Sequence, residues 1–309
     1  MGDFWTYNTR IVLAGATLLG VTGGVVGVFA LLRKRALVAD VVGHAALPGV
    51  AIAFLASLLL GGPGRDEPLL MLGAAVAGTL GAATLTLLGR FTQVKEDAAM
   101  AIVLGVFFGL GAALFRVVQN AQGGGAAGLN TLLFGKIALL VRTDVLLFAA
   151  LAAAALAVCV LLRRELALLC FDPEFSASIG RPVLLLDLAL SALIVSVAVT
   201  GMQSVGLILV VATLVTPAAA ARFWTDRLGP MLWLSGTIGG LAAAAGVLIS
   251  ASGEKLAAGP LIVLCGSAAF GVSLLFGPRR GVVARTLRER SVRQAALKGG
   301  SSPAYGGSD

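Results

Sequence analysis

The 309 residues include 58% hydrophobic and only 12% charged side chains, about half the charged share of a soluble globular domain, which excludes a soluble enzyme. The net charge of +8 does not mark a nucleic-acid binder, because it sits in a C-terminal tail (Arg279, Arg280, Arg285, Arg288, Arg290, Arg293 and Lys298) and between apolar runs. Cys159, Cys170 and Cys265 are scattered without a pairing pattern and are read as small apolar fillers.

In chain order, the N-terminus does not resemble a cleavable signal: Asp3 precedes a single Arg10, and the apolar run 11–32 is too long for a signal-peptide core. Uncharged runs at 68–89, 98–115, 145–162, 188–221, 228–253 and 256–278 each reach the roughly 18 apolar residues of a membrane span. The prediction is an all-α, polytopic helical membrane protein with spans at 11–32, 36–61, 69–90, 97–118, 144–162, 183–200, 204–221, 231–250 and 257–276. That is nine, with eight as the alternative count. Placing the 33–35 loop in the cytoplasm puts 17 of the 23 basic residues inside, as the positive-inside rule requires. The N-terminus is then outside and the C-terminus inside. A transmembrane domain is expected over 1–277, followed by a basic, disordered tail over 278–309. The many glycines and alanines suit close helix contacts in lipid.

Segment 131–141 is apolar but too short to span, so it is expected as a re-entrant or interfacial helix. The glycine-rich stretch 123–128 lacks the strand, Lys and Ser/Thr of a phosphate loop. Within the loop 163–182, residues Phe171 to Gly180 predict a short capped helix: Asp172 as N-cap, Pro173 at the first position, and Gly180 just past the end. Such a helix is either plain surface structure or a docking helix for a partner. Pro217 cannot donate to the carbonyl of Thr213, and Pro48 cannot donate to that of His44, so helix kinks are expected at both prolines.

The chain's only histidine, His44, follows Asp40 by four residues. That spacing stacks both side chains on one helix face. An ionisable pair heading an apolar helix is costly and is a functional-site candidate by default. Two readings compete. Asp40 can be a helix cap and His44 a polar side chain bonded to a neighbouring helix. Alternatively, the carboxylate, the imidazole and the carbonyl freed by Pro48 form a weak site for Zn²⁺, Mn²⁺ or Fe²⁺ in a transport path.

Five motifs in order then carry a resemblance: Leu37-Val38-Ala39-Asp40 through His44-Ala45-Ala46-Leu47-Pro48-Gly49; Lys95-Glu96-Asp97; Leu133-Phe134-Gly135; Asp172-Pro173-Glu174-Phe175 to Gly180; and Val205-Gly206-Leu207 to Pro217. Over about residues 10–277 the chain resembles the permease subunits of ATP-binding-cassette importers for zinc, manganese and iron (the ABC-3 type). The resemblance implies a bacterial inner-membrane homodimer around a central path. A separate cytoplasmic ATPase would drive it and an extracytoplasmic metal-binding protein would supply it. Transport would be by alternating access, with no catalysis by this chain, no permanently bound cofactor, and a divalent metal as cargo. It also implies metal roles for Asp40 and His44, and a coupling helix bearing Asp172, Pro173, Glu174, Phe175 and Gly180. Gly43, Ser176, Ser178 and Thr216 depart from residues usual in the family. The alternative is a proton-coupled secondary metal transporter or channel. An intramembrane hydrolase ranks last for want of a second histidine.

Overall fold

The computed structural model describes residues 7–35, 37–62, 67–121, 142–205, 207–253 and 256–286, all helices and the turns between them. In order these are α1 (Tyr7–Leu32), α2 (Val38–Leu59), α3 (Glu67–Phe91), α4 (Glu96–Ala121), α5 (Arg142–Leu161), α6 (Arg163–Phe171), α7 (Pro173–Ser178), α8 (Val183–Val205), α9 (Leu207–Arg222), α10 (Leu228–Ser252) and α11 (Ala258–Phe276). The expected re-entrant segment 131–141 and the glycine run 123–128 lie outside the described residues, as does the tail beyond 286. The described start of that tail includes a helical turn at 282–286.

Among the described residues, eight helices are long and apolar enough to cross a membrane: α1 to α5, α8, α10 and α11. The chain is a polytopic helical membrane protein. The segment expected as a ninth span, 204–221, is instead the 16-residue α9, because α8 runs on to Val205. Sixteen residues at 1.5 Å each reach about 24 Å, short of the ~30 Å hydrocarbon layer. The other difference falls at 163–171, expected as loop and found as helix α6. Its charged start, Arg163-Arg164-Glu165, breaks the apolar pattern, yet Leu166 and Leu169 are fully buried. Their three-residue spacing gives one apolar face.

Packing depends on small residues where helices cross. A Cβ at Gly49 of α2 would collide with the carbonyl of Gly73 on α3, and one at Gly73 with the carbonyl of Gly49. Gly20 of α1 and Gly239 of α10 face each other in the same reciprocal way. Nearby, the Ser235 hydroxyl donates to the Gly24 carbonyl at 2.7 Å. Such contacts replace the hydrophobic drive that helix association lacks in lipid. Both prolines sit in this packing. Helix α2 continues through Pro48, whose ring lies beside Gly111 of α4, and Pro217 of α9 lies beside Gly239.

Three helix ends close with the same six-residue backbone turn. At α1, the Arg35 N–H donates to the Ala30 carbonyl and the Lys34 N–H to the Leu31 carbonyl. Gly61 and Gly180 occupy the corresponding left-handed positions after α2 and α7, at φ 77° and 78°. Lys34 holds this conformation at φ 60° without being glycine, which carries a steric cost of about 1–2 kcal/mol. The turn it forms sends Arg33 and Arg35 to the same side.

The segments assigned to one side by charge do meet at one end of the bundle. Arg33, Arg35, Glu96, Ala177 and Asp187 line one cavity there. The Arg279 N–H donates to the Phe223 carbonyl, and Arg280 pairs with Asp226 at 3.1 Å.

Candidate functional site

Asp40 lies in the first turn of α2, where its charge suits the positive end of the helix dipole, but it is not the cap. Leu37 holds that position without a side-chain bond. The His44 Nδ1 stands 3.0 Å from the Asp40 carbonyl oxygen and 3.3 Å from Asp40 Oδ1. Both neighbours are acceptors, so Nδ1 donates, and in the neutral ring the lone pair then sits on Nε2. That orients the imidazole as a ligand whose other nitrogen is held by a neighbouring oxygen. Phe108 of α4 meets the ring edge-on, with centroids 5.2 Å apart.

The pair is open. The His44 side chain is 24% exposed and that of Asp40 36%, while Val41, Val42, Ala45 and Ala46 around them are buried. Among the described residues no group of three or more His, Cys, Asp or Glu could hold a metal ion. One chain therefore offers one imidazole nitrogen, carboxylate oxygens and the His44 carbonyl that Pro48 leaves without its helical donor. This donor set suits a borderline divalent ion held loosely.

Cys170 does not add to it. Its Sγ donates to the Phe29 carbonyl at 3.7 Å, and burial pushes the thiol up to about 12, so it stays protonated and is a poor metal ligand.

The predicted capped helix is present as drawn. Asp172 is the N-cap of α7, its carboxylate accepting from the Phe175 N–H at 2.9 Å, with Pro173 first and Gly180 closing the end. Phe171, Phe175 and Ile179 are each half or more exposed around this short helix. Glu174 is exposed beside them. Ser176 faces inward, fully buried, with no hydrogen-bond partner for its Oγ. Arg181 pairs with Glu165 of α6 at 3.6 Å.

One cluster was not anticipated. Asp187, in the second turn of α8, accepts from Arg33 at 3.2 and 3.3 Å, and lies 3.3 Å from Arg35. Asp187 and Arg35 are buried. Burial would lower the affinity of Arg33 for its proton, but hydrogen bonds and charge from Asp187, with Glu96 adding to them, raise it above the ordinary value. The available signal was Asp187 as the only acid between Glu174 and Asp226.

Fold and site together define a multi-pass membrane component with an ionisable pair on one spanning helix and a small capped helix outside the spans. Residues 6–277 match the model of the ABC 3 transport family, and the chain belongs to that family. It is 42% identical over 287 residues to the manganese transport system membrane protein MntC of Bacillus subtilis, covering 93% of this chain and 65% of that protein. It is 40% identical over 289 residues to the zinc transport system membrane protein TroC of Treponema pallidum, covering 94% and 95%. Among solved structures, PsaBC from Streptococcus pneumoniae in complex with Fab superposes with a TM-score of 0.76 at 32% identity, over 93% of this chain and 96% of that one.

Proposed function

We propose that this chain is the permease subunit of an ATP-driven importer for divalent metal ions, working by alternating access in a bacterial inner membrane. The supporting observation is the open Asp40–His44 pair, with Nδ1 engaged and Nε2 presented on a spanning helix. Two side-chain ligands per chain suit a site that must release its ion. A second permease copy facing the first across the path would bring the set to four. Relatives named for manganese and zinc transport favour those ions, and iron shares the ligand chemistry.

Energy would come from a separate cytoplasmic ATPase seated on α7, whose exposed Phe171, Phe175 and Ile179 surround the capped turn of Asp172, Pro173, Glu174 and Gly180. An extracytoplasmic metal-binding protein would deliver the ion. A proton-coupled carrier is less favoured, because Asp187, the acidic residue in the second turn of α8, is engaged by two guanidinium groups.

The test is metal uptake into proteoliposomes holding the permease and its ATPase. Mn²⁺ and Zn²⁺ uptake should require ATP and persist when a protonophore collapses any proton gradient. Uptake without the ATPase that follows a proton gradient would overturn the proposal. Glu174→Arg, or removal of 172–179, should abolish co-purification with the ATPase while leaving membrane insertion intact.

A further inference from the structure

The Lys95-Glu96-Asp97 motif and the Arg33–Asp187–Arg35 cluster have no part in metal binding or docking as described above, yet they meet. Arg33, Arg35, Thr86, Glu96, Ala177 and Asp187 line a cavity of about 290 Å³. Ala177 belongs to the docking helix α7, and Asp187 follows it after the closing turn at Gly180. That link is taut: the Val183 N–H donates to the Arg181 carbonyl at 2.9 Å, and the Leu186 N–H to the Pro182 carbonyl at 3.1 Å. On the other side, the Val38 N–H donates to the Arg35 carbonyl at 3.0 Å. Arg35 is therefore fixed to the first turn of α2, five residues before Asp40. A short chain of contacts leads from the docking helix to the metal-bearing helix, and Asp187 is its central joint.

The charges in this cavity do not balance at the joint alone. One carboxylate serves two guanidinium groups, leaving a positive charge in a largely buried place, which is costly unless another group answers it. Glu96 is the other carboxylate lining the cavity. The contacts to Asp187, at 3.2 to 3.5 Å, are also longer than the roughly 2.7–2.9 Å of a strong charged hydrogen bond. Four weakly held contacts to one carboxylate, beside open space and a second carboxylate, make a pairing that can change partners.

We propose that Asp187 is a positioning residue for transport, and that Arg33 passes from Asp187 to Glu96 across this cavity when the docking helix moves, releasing α2 to reorient. This rests on the importer reading above. Arg33 is the arginine that exchanges, since its side chain is 17% exposed while that of Arg35 is 9%. Arg35 stays with Asp187 and keeps α2 attached. The exchange supplies the element with two discrete arrangements that transmission between distant sites requires.

The experiment reads manganese ions transported per ATP hydrolysed in proteoliposomes of the permease–ATPase complex, together with Mn²⁺ binding to the purified permease. Wild-type vesicles that hydrolyse ATP but import no Mn²⁺ would overturn the importer reading, and this inference with it. With active wild type, Asp187→Asn should lower the transport ratio at least about fivefold while leaving Mn²⁺ binding and co-purification unchanged, and Asp187→Glu should restore most of it. Glu96→Gln, at an exposed position, should also lower the ratio with normal yield and binding. A purely structural cluster predicts something else: lower yield of Asp187→Asn, with an unchanged ratio in the protein that remains, and no effect of Glu96→Gln. That outcome would overturn the inference. Should Asp187→Asn fail to accumulate, Glu96→Gln decides alone: a wild-type ratio overturns the exchange and a lowered one supports it.

Discussion

Two ionisable clusters draw on the stretch from Arg33 to His44 and are built in opposite ways. The Asp40–His44 pair comes from one turn of one helix, stands a quarter to a third exposed, and has donor atoms left over. The Arg33–Asp187–Arg35 cluster joins segments 154 residues apart, is largely buried, and spends its carboxylate on two guanidinium groups. A site that takes up and releases an ion needs unfilled coordination, whereas a joint between helices needs its partners inside the protein. The difference separates binding from holding in adjacent parts of one chain.

Breaking the open side should have the largest effect on transport and the smallest on folding. Asp40→Asn and His44→Ala are expected to abolish metal uptake, while the thermal unfolding midpoint in detergent shifts by no more than a few degrees. A large fall in midpoint would show that the pair is structural. Breaking the closed side should cost stability as well: Arg35→Ala removes charged hydrogen bonds to a buried carboxylate and should cost about 2 kcal/mol, measured by denaturant unfolding. A cost near zero would place Arg35 among solvated surface charges.

A pH series sharpens the contrast. Arg33 holds its proton more tightly in the fold than in the unfolded chain. Its stabilisation is therefore complete below the ordinary arginine value and is lost only as pH climbs past the still higher folded value. The stability difference between wild type and Arg33→Gln should thus stay flat from about pH 5 to 9, and a slope across that range would contradict it. The smallest effect is expected at Ser176. Its buried hydroxyl has no partner, so Ser176→Ala should stabilise the isolated permease by about 1 kcal/mol, seen as a raised unfolding midpoint.

What the sequence revealed and what it concealed follow from range. The uncharged runs placed seven of the eight long helices to within a few residues, because lipid imposes length and apolarity locally. The exception was α8, which runs five residues past its predicted end: from Leu188 to Ala221 no charge marks a boundary. The α7 caps were legible because Asp172, Pro173 and Gly180 act within one turn. So was the Asp40–His44 approach, a matter of helical pitch alone. The Asp187 cluster depends on tertiary packing that no spacing rule reaches, and Arg35, counted among the basic residues that set topology, proves to be buried. Helix α6 was hidden by its three charged leading residues, although Leu166 and Leu169 carried its apolar spacing.

The two reciprocal glycine crossings have a mechanical consequence. Backbones that touch at Gly20–Gly239 and at Gly49–Gly73 leave no side-chain cushion to shear, so each crossing acts as a weld. One weld joins α1 to α10 and the other joins α2 to α3, giving two stiff plates. Where α1 ends, the backbone takes an awkward left-handed bend at Lys34. A tilt of one plate against the other would leave both crossings intact, and α8 touches helices of both.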